Sequence, residues 1–404
     1  MVPSGWALQD FNSLKIATID GDRGKDYPKK EDYLQIGHAL FLGADNIDNG
    51  TLSLNKTTFI SKEKHESMRK GIVQEKDILL VMRGNGTGRS CIYENKDKSY
   101  AARINSGLVI IRAESEHTDV QFLQQLIVSP VIQKQFESFM FGSAQPQLTI
   151  QLLKSLRFPF PPLPEQKTIA KILSIWDKAI TTTEKLLANS QQQKKALMQQ
   201  LLTGKKRLLD KNGERFGGEW CERLLGDVSK ITTGSSNRQD SHMTGAYTFF
   251  DRSEDIRTSD TYLFDCEAVI VPGEGQDFIP KYFVGKFDLH QRTYAIMDFA
   301  GCHGKFLFYA IHYFRSHFLS QAVGSTVKSL RLPMFQKMKL SLPTREEQQK
   351  IAAVLSTADQ EITALRQMLD ALKQEKKALM QQLLTGKRRV QLNEQNSKVL
   401  TYGN

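Results

Sequence analysis

The twelve residues KKALMQQLLTGK at 194–205 recur, letter for letter, at 376–387, an interval of 182 residues. Solenoid repeats have periods of 20–50 residues, so this identity marks a duplicated module of domain size. The match extends toward the N-terminus at the same offset. Examples are Glu165-Gln166 with Glu347-Gln348, Leu173-Ser174 with Leu355-Ser356, and Gly142-Ser143 with Gly324-Ser325.

The segments outside the repeat, residues 1–140 and 211–323, share no comparable identity. Both carry short Val/Ile-rich runs and many turn signals, which predict mixed α/β domains. The predicted fold class is therefore α+β. Two globular α/β domains are separated by a pair of long antiparallel coiled-coil helices, and the whole forms a pseudo-twofold internal repeat.

The repeated segment carries a coiled-coil pattern. From Ile351 onward, positions at alternating intervals of four and three are apolar in nine of ten cases, and the first copy gives seven of ten. This spacing predicts a helical seam of more than four heptads. Its predicted apolar residues are Ile169, Leu173, Trp176, Ile180, Leu187, Leu197 and Leu201 in the first copy, and Ile351, Leu355, Ile362, Leu365, Leu369, Leu372, Leu379 and Leu383 in the second.

Two lysines, Lys194 and Lys376, take the same seam position in the two copies. They either fix the register of the helix pair or extend their charged ends into solvent. Proline and acidic residues predict each helix start, and Gly204 and Gly386 predict left-handed caps at the ends. Each helix then spans close to 39 residues, or about 58 Å. We expect antiparallel pairing, because the domain between the helices begins where one ends and finishes where the other starts.

Composition favours a polyanionic partner. The chain has 55 basic and 44 acidic residues, a net charge of +11 and a pI near 9.3, which suits nucleic acid or an acidic protein surface. The four cysteines show no metal-binding spacing, so no metal site is predicted. No secretory signal or long apolar run is present, and we expect a cytoplasmic protein without membrane contact.

A strand followed by a G-x-G turn occurs in both variable segments. Residues 77–82 lead into Arg83-Gly84-Asn85-Gly86, and residues 268–271 lead into Pro272-Gly273-Glu274-Gly275. The glycines fit neither a dinucleotide fingerprint nor a P-loop. They form either tight turns between strands or a loop whose backbone amides approach phosphate, with Arg83 and Arg89 able to reach phosphates or guanine edges.

The exposed polar runs at 21–25 and 233–238 have side chains of the same kinds. Arginine, lysine, asparagine and serine are the types that hydrogen-bond phosphates and base edges. We predict DNA contacts for Arg23, Lys25, Arg83, Asn85, Arg89, Arg103, Ser235, Asn237, Arg238, Arg252, Lys281 and Arg292.

No catalytic constellation is apparent. The chain lacks a P-loop and the Asn/Asp-Pro-Pro-Tyr/Phe tetrapeptide of amino-methyltransferases, and Glu94-Asn95-Lys96 lacks the upstream Pro-Asp of a nuclease motif. We therefore predict no catalytic residue and a chain that binds without reacting.

With these features the chain closely resembles the specificity subunit of a type I restriction–modification enzyme. The resemblance covers nearly the whole chain: two dissimilar domains, each followed by a similar long helix, of which the first begins LPEQKTIAKIL at 163–173 and ends LMQQLLTGK at 197–205. The second copy departs from the proline-glutamate start with Thr344-Arg345-Glu346-Glu347, which leaves only the details of that helix start open.

This resemblance implies that each target-recognition domain reads one half of a bipartite asymmetric site in double-stranded DNA. The helices would set the spacer and dock two modification (methyltransferase) subunits, which restriction (translocase and nuclease) subunits join. S-adenosylmethionine, ATP and Mg would belong to those partners, and no cofactor would bind this chain.

Five segments are predicted on this basis: recognition domain 1 at 1–160, the first repeated helix at 161–205, recognition domain 2 at 206–342, the second repeated helix at 343–387, and a polar tail at 388–404. Two alternatives stay open. One is a coiled-coil scaffold without nucleic acid, and the other is a fused nuclease or methyltransferase with an unrecognised motif.

Overall fold

A computed structural model describes residues 2–48, 50–84, 86–94, 100–140, 147–253 and 255–392. Asn85 and the predicted tail beyond residue 392 lie outside these residues. The chain divides into two compact units, the first formed by Met1–Thr182 with Leu369–Asn404 and the second by Thr183–Met368. Each unit thus combines one variable segment with parts of both long helices.

The first variable segment and the helix after it contain these elements: β1 Ala7–Gln9, β2 Ile16–Asp20, β3 Ala39–Leu42, β4 Ile47–Asp48, β5 Thr51–Leu52, β6 Phe59–Ile60, α1 Lys62–Ser67, β7 Ile78–Val81, β8 Ser90–Ile92, β9 Ala101–Ile104, β10 Leu108–Ala113, α2 Val120–Ile127, α3 Pro130–Met140, α4 Ile150–Ser155, β11 Phe158–Phe160 and α5 Leu163–Leu201.

The second variable segment and its helix contain β12 Cys221–Leu224, α6 Leu225–Val228, β13 Lys230–Thr233, β14 Tyr247–Phe250, β15 Arg257–Ser259, β16 Phe264–Pro272, β17 Glu274–Gly275, β18 Lys281–Leu289, β19 Thr293–Met297, α7 Gly304–Tyr313, α8 Ser316–Gln321, β20 Lys328–Ser329, α9 Leu332–Gln336, β21 Lys339–Leu342 and α10 Arg345–Leu383.

The two units have related strand orders despite their unlike sequences, although the central strands form two sheets in the first and one sheet in the second. In the first, an antiparallel sheet has the order β2-β10-β7-β8, and a smaller sheet β6-β3-β9 contains the parallel pair β3-β9. In the second, one sheet has the order β13-β19-β16-β18-β14-β15, with β14-β18 parallel. The strand before each long helix pairs with the first strand of its domain, as β1-β11 and β12-β21. The internal repeat therefore extends into the variable segments.

Continuous apolar runs explain the central strands. All four residues of β7 are buried, as are Ala268, Val269, Ile270 and Val271 of β16. A strand covered on both faces needs apolar side chains at successive positions rather than at alternate ones. In the first unit one face packs against α2 and the start of α5, and the other faces a separate apolar cluster around Leu79 and Val81.

Both long helices span 39 residues, as the seam predicts. The predicted caps are also confirmed, because Gly204 and Gly386 have φ of 68° and 69°. Lys206 N donates to Gln200 O at 3.0 Å, and Arg388 N donates to Gln382 O at 3.1 Å. These bonds close the last turn around a left-handed residue, a conformation that glycine adopts without steric cost.

None of the fifteen predicted seam residues is exposed. Eight are buried: Ile169, Leu173, Leu201, Ile351, Leu355, Ile362, Leu369 and Leu383. Seven are half-buried: Trp176, Ile180, Leu187, Leu197, Leu365, Leu372 and Leu379. Within each unit, parts of α5 and α10 run antiparallel, since side-chain bonds join Glu165 to Arg389 and Asp177 to Lys376 in the first.

The two seam lysines form ion pairs with the opposite helix. In the second unit Lys194 Nζ lies 2.5 Å from Asp359 Oδ1, and in the first Lys376 Nζ lies 2.6 Å from Asp177 Oδ1. The two pairs are related by the sequence offset of the repeat. Of the two interpretations left open by the sequence, the structure favours a role in helix register, because a slipped register would separate each lysine from its aspartate.

A buried glutamate near the start of each helix completes the framework. In the second unit the Glu347 carboxylate accepts two hydrogen bonds from Arg207, at 2.6 and 2.7 Å. In the first, Glu165 accepts from Arg389 and also from Trp6 Nε1, at 3.2 Å. These bonds raise the pKa of Arg207 and Arg389. Each clamp ties the end of one long helix to the start of the other.

The glutamines that follow tie each helix to its recognition domain. Gln166 Oε1 accepts from Asp119 N, at the start of α2, and Gln348 Oε1 accepts from His303 N, at the start of α7, at 2.8 and 2.9 Å. Their amide nitrogens both donate to the proline carbonyl five residues earlier. The repeated Glu-Gln pair is therefore explained by two distinct structural roles.

Candidate nucleic-acid interface

Most of the predicted DNA-contacting residues lie where several loops of one unit meet, which we term the loop edge. In the first unit it comprises the segments that follow β2, β3 and β7 and the link between β9 and β10. Asn105 N donates to Leu42 O and Met82 N donates to Gly107 O, both at 2.8 Å. A Cβ on Gly21 would collide with the Asn105 carbonyl, so glycine is needed there.

Arg23 and Lys25 extend from the loop after β2, and both are exposed. The loop is held by the buried carboxylate of Asp22, which accepts from Gly24 N at 2.7 Å and from Arg69 N at 2.6 Å. The hydrogen bond from Gly24, followed by those from other backbone amides, lowers the pKa of Asp22. Asp22 thereby brings a second basic segment, Arg69-Lys70, beside the first.

Arg69 and Lys70 are exposed residues that the sequence prediction missed. They follow a short helix without any strand-and-turn signal, and only the contact with Asp22 places them at the loop edge. Four cations thus gather around one buried anion whose charge is already satisfied by backbone amides. Arg23 also pairs with Asp20, at 3.1 Å, and the four cations together can attract a phosphate backbone.

Arg83 and Arg89 lie together in the hairpin loop between β7 and β8. Gly88 N donates to Val81 O at 2.9 Å, and Val81 N donates to Arg89 O at 2.8 Å. Arg83 is half-buried, and its Nε and Nη2 have no acceptor among the residues that the structure describes. Arg89 is exposed, and a side chain on Gly86 would collide with its guanidinium.

The prediction that Arg103 contacts DNA is wrong. Its side chain is 2% exposed, because β9 directs it under the loop after α1. There it donates to the carbonyls of His65, Met68 and Lys70 and to His65 Nδ1. Burial lowers the pKa of Arg103, and the four acceptors compensate its buried charge. The side chain therefore fixes the shape of the loop that carries Arg69 and Lys70.

The loop edge of the second unit comprises the segments that follow β13, β14 and β16 and the link between β18 and β19. His290 N donates to Phe250 O, and Gly273 N donates to Arg292 O, both at 2.9 Å. Ser236 bonds the buried carboxylate of Asp288 at 2.6 Å. The same four kinds of segment meet as in the first unit, but different side chains occupy them.

All six candidates of the second variable segment lie along this edge. Arg238 Nε is 3.7 Å from Asp251, Arg252 Nη1 is 3.8 Å from Glu274, and Arg292 pairs with the same Glu274. Lys281 Nζ donates to Ser253 O. The other two lie on the first of the segments, where Ser235 is exposed and Asn237 Oδ1 accepts from Gln291 at 2.8 Å.

Glu274 and Asp251 are acidic residues that the sequence prediction did not single out. Both side chains are largely buried, at 15% and 4% exposure, whereas their arginine partners are more than half exposed. An inner carboxylate that holds an outer guanidinium restricts the direction in which the guanidinium points. The second loop edge is thus a network of oriented arginines. The first presents cations on segments that backbone contacts hold together, with one ion pair between Arg23 and Asp20.

The family described as "Type I restriction modification DNA specificity domain" matches residues 9–189 and 217–374, one match for each variable segment with part of its helix. The chain belongs to the type I restriction–modification specificity subunits. Subunits of this family recognise DNA sequence and are known as non-catalytic. The two loop edges therefore lie in DNA-recognition domains, and neither a nucleic-acid-free scaffold nor a fused enzyme is supported.

Curated relatives agree with this membership. The type I restriction enzyme EcoDI specificity subunit of Escherichia coli is 29% identical over 167 residues, which cover 41% of this chain and 37% of that protein. The putative type I restriction enzyme MjaX specificity subunit of Methanocaldococcus jannaschii is 25% identical over 413 residues, covering 96% of this chain and 95% of that protein.

Solved structures support the fold. The type I restriction–modification S subunit from M. genitalium superposes with a TM-score of 0.64 at 15% identity, covering 95% of this chain and 96% of that chain. A second structure, described for complex assembly and conformational transition of the type I system, gives 0.57 at 18% identity over 96% of this chain and 100% of that chain. With these neighbours, the predicted α+β fold class with two domains is confirmed.

The part of the chain that the structure describes contains neither a membrane-spanning helix nor a cluster of metal ligands. No helix there is both long and apolar enough to cross a membrane. Within the same residues, no group of three or more His, Cys, Asp or Glu side chains is placed to hold a metal ion.

Proposed function

We propose that each recognition domain of this specificity subunit reads one half of a bipartite DNA site, and that the loop edge is the surface that reads it. One observation carries the proposal: the framework repeats residue for residue, whereas the loop edges differ. The clamps Glu165–Arg389 and Glu347–Arg207 are equivalent, but Arg23-Gly24-Lys25 has no counterpart in the polar segment that contains Asn237-Arg238. Such divergence suits two readers of unlike sequences.

The length of the long helices suits a role in setting the distance between the half-sites. A helix of 39 residues is about 58 Å long. Two major-groove readers on one face of B-DNA need centres about 34–36 Å apart, which lies within that reach. We propose that the helix pair sets the spacer and that the lysine–aspartate pairs keep its register.

The duplicated twelve residues also suit a docking surface used twice. The buried residues of each copy pack into the core of their own unit. They are Met198, Leu201 and Leu202 in the first copy and Met380, Leu383 and Leu384 in the second. Core packing explains why these residues are identical in the two copies, but it does not explain the identity of the exposed Lys-Ala and Gln-Gln residues. We propose that two modification subunits dock on these exposed faces, one on each copy, and that restriction subunits join them.

The five segments predicted from the sequence form part of this proposal. Both long helices lie inside the ranges proposed for them. S-adenosylmethionine, ATP and Mg are proposed as cofactors of the partner subunits, which would methylate and cleave. This chain would contribute sequence recognition and assembly.

Exchange of one recognition domain tests the proposal. We would replace residues 211–323 with the same region of a relative, and determine the sequence methylated by the complex with its modification subunits. One half of the recognised site is expected to change, with the other half and the spacer unchanged. The matched control exchanges residues 1–140 and is expected to change the other half. If either exchange altered both halves, the proposal would be refuted.

A further inference from the structure

The position of Arg83 in the first domain is taken by Glu274 in the second. Leu148 N donates to Met82 O at 2.8 Å, and Leu330 N, 182 residues later, donates to Gly273 O at 2.7 Å. The next residue in each case forms the equivalent bridge, Arg83 with Gln147 and Glu274 with Ser329. One backbone position at the loop edge therefore carries a cation in one domain and an anion in the other.

The segment beside this position shows the opposite exchange. Met82 N donates to the carbonyl of Gly107, whereas Gly273 N donates to the carbonyl of Arg292. The first domain thus has glycine where the second has arginine. A Cβ on Gly273 would collide with the Arg292 carbonyl, so this glycine allows the arginine-bearing segment to lie against the strand end. A guanidinium is present at this place in both domains, but it comes from different segments.

Glu274, on the inner side of the loop edge, forms an ion pair with Arg292 of the second domain. Its side chain is 15% exposed, and its two oxygens face Arg292 and Arg252, whose side chains are 64% and 56% exposed. Because solvent screens the exposed guanidiniums, these ion pairs contribute less to folding than pairs in which both partners are buried. The carboxylate instead limits the rotamers of two long side chains that face outward.

An oriented guanidinium has a specific use on DNA. Its parallel N–H groups match the O6 and N7 acceptors of guanine in the major groove, and this pair discriminates against other bases. The Nε and Nη2 atoms of Arg83 are shielded from solvent and have no acceptor among the described residues. A base edge that reaches them would supply the missing acceptor. One guanidinium at this topological place is held by a carboxylate and the other has two nitrogens without an acceptor among the described residues, which suits base reading better than phosphate attraction alone.

We propose that Arg292 is a guanine-reading residue of the second domain, that Glu274 is the positioning residue that orients it, and that Arg83 is the counterpart of Arg292 in the first domain. This inference rests on the proposed function, in which each domain reads one half-site.

The test measures methylation by the complex of this chain with its modification subunits. The substrates are duplexes that carry the recognised site, every single-base replacement, and 7-deazaguanine at each guanine, which removes only the N7 acceptor. The variants are Arg292→Lys, Glu274→Gln, Glu274→Asp and Arg83→Lys. The matched control is Glu222→Gln, because Glu222 is an exposed glutamate on β12 that lies 4.0 Å from Lys339 and away from the loop edge.

We expect Arg292→Lys and Glu274→Gln to reduce discrimination at the same base pair of the second half-site by about tenfold, with the first half-site unaffected. Glu274→Asp should restore most of it, since the negative charge returns. Replacement of that guanine by 7-deazaguanine should impair the wild type but not Arg292→Lys. Arg83→Lys should alter one base pair of the first half-site only, and Glu222→Gln should alter none.

Several results would overturn the inference while leaving the proposed function intact. They are unchanged base preference in Arg292→Lys, a uniform loss at all positions of the second half-site, or a wild type insensitive to every 7-deazaguanine there. The last two results do not depend on a Glu274 variant, so they remain decisive even if that variant fails to fold. A wild type that recognises one undivided sequence would instead refute the proposed function itself.

Discussion

The two glutamate clamps allow a comparison of equivalent arginines within one chain. We expect Arg207→Met to loosen the second unit much more than Arg389→Met loosens the first. Both substitutions remove a guanidinium from a buried carboxylate at the start of a long helix. The sequence relates the two sites by the repeat offset, so each serves as a control for the other.

The expected difference between the two variants follows from the hydrogen-bond donors and the solvent access that each carboxylate retains after its arginine is removed. Glu347 is fully buried, and Arg207, itself 19% exposed, is the only side chain seen to donate to it among the described residues. Removing one partner of a buried pair costs about 3–5 kcal/mol, and we take about 3 because solvent reaches Arg207. Glu165 keeps the Trp6 Nε1 donor, and Arg389 is 43% exposed, so the loss there is smaller.

Hydrogen exchange of the purified chain measures the two openings separately. A loss of about 3 kcal/mol corresponds to about a hundredfold faster local opening. We expect that acceleration in peptides from the first turns of α10 for Arg207→Met. For Arg389→Met, we expect less than about tenfold in the first turns of α5. The double variant Arg207→Met with Glu347→Gln should recover part of the protection, because no buried charge is then left unpaired.

Equal acceleration at the two sites would refute this reasoning, since burial and the Trp6 donor would then have no influence. So would a double variant less protected than Arg207→Met alone. That result would mean that the cost comes from lost packing of the arginine stem rather than from the unpaired carboxylate.

Three further outcomes follow from the contacts. In a double-mutant cycle of unfolding, Lys194→Met and Asp359→Ala should show a coupling free energy of about 1 kcal/mol, a small value because both side chains are partly exposed. Additive effects of the two substitutions would contradict a direct ion pair. The folded-state pKa of Asp22 lies below its ordinary value of 3.8. The ionised carboxylate therefore stabilises the fold above about pH 4, and this contribution is lost as the pH falls through the folded-state pKa. Proteolysis at residues 67–71 should therefore accelerate in acid, but less so in Asp22→Asn. Arg103→Met should destabilise the first unit by about 3 kcal/mol, measured by denaturation, and a neutral effect would contradict its compensated burial.

The sequence predicted the parts of the fold that depend on periodicity and duplication. The seam spacing identified both helices, and Gly204 and Gly386 identified their ends, because those features are determined within one stretch of chain. The pairing of Lys194 with Asp359 was not predictable in the same way. Both residues are visible in the sequence, but only the antiparallel register brings them together.

The candidate interface was predicted less completely, for a related reason. Exposed basic residues after a turn, such as Arg23 and Arg292, are identified by composition. Arg103 was assigned wrongly because a strand arginine gives no local sign that three backbone carbonyls lie above it. Glu274 was not predicted, because the glycines on either side of it account for the turn and give no reason for the acidic residue between them.

The structure explains how the two loop edges diverge while the framework stays repeated. Framework contacts use side chains, such as the Glu-Gln pair, so a substitution there leaves a buried group unpaired. The loop-edge segments are joined to each other largely through backbone groups, as in Asn105 N to Leu42 O and its equivalent, His290 N to Phe250 O. Backbone bonds survive a change of side chain, so exposed residues at the edge can change while the segments keep their places. Under the proposed function, new base preferences can therefore arise at the edge without loss of the framework contacts.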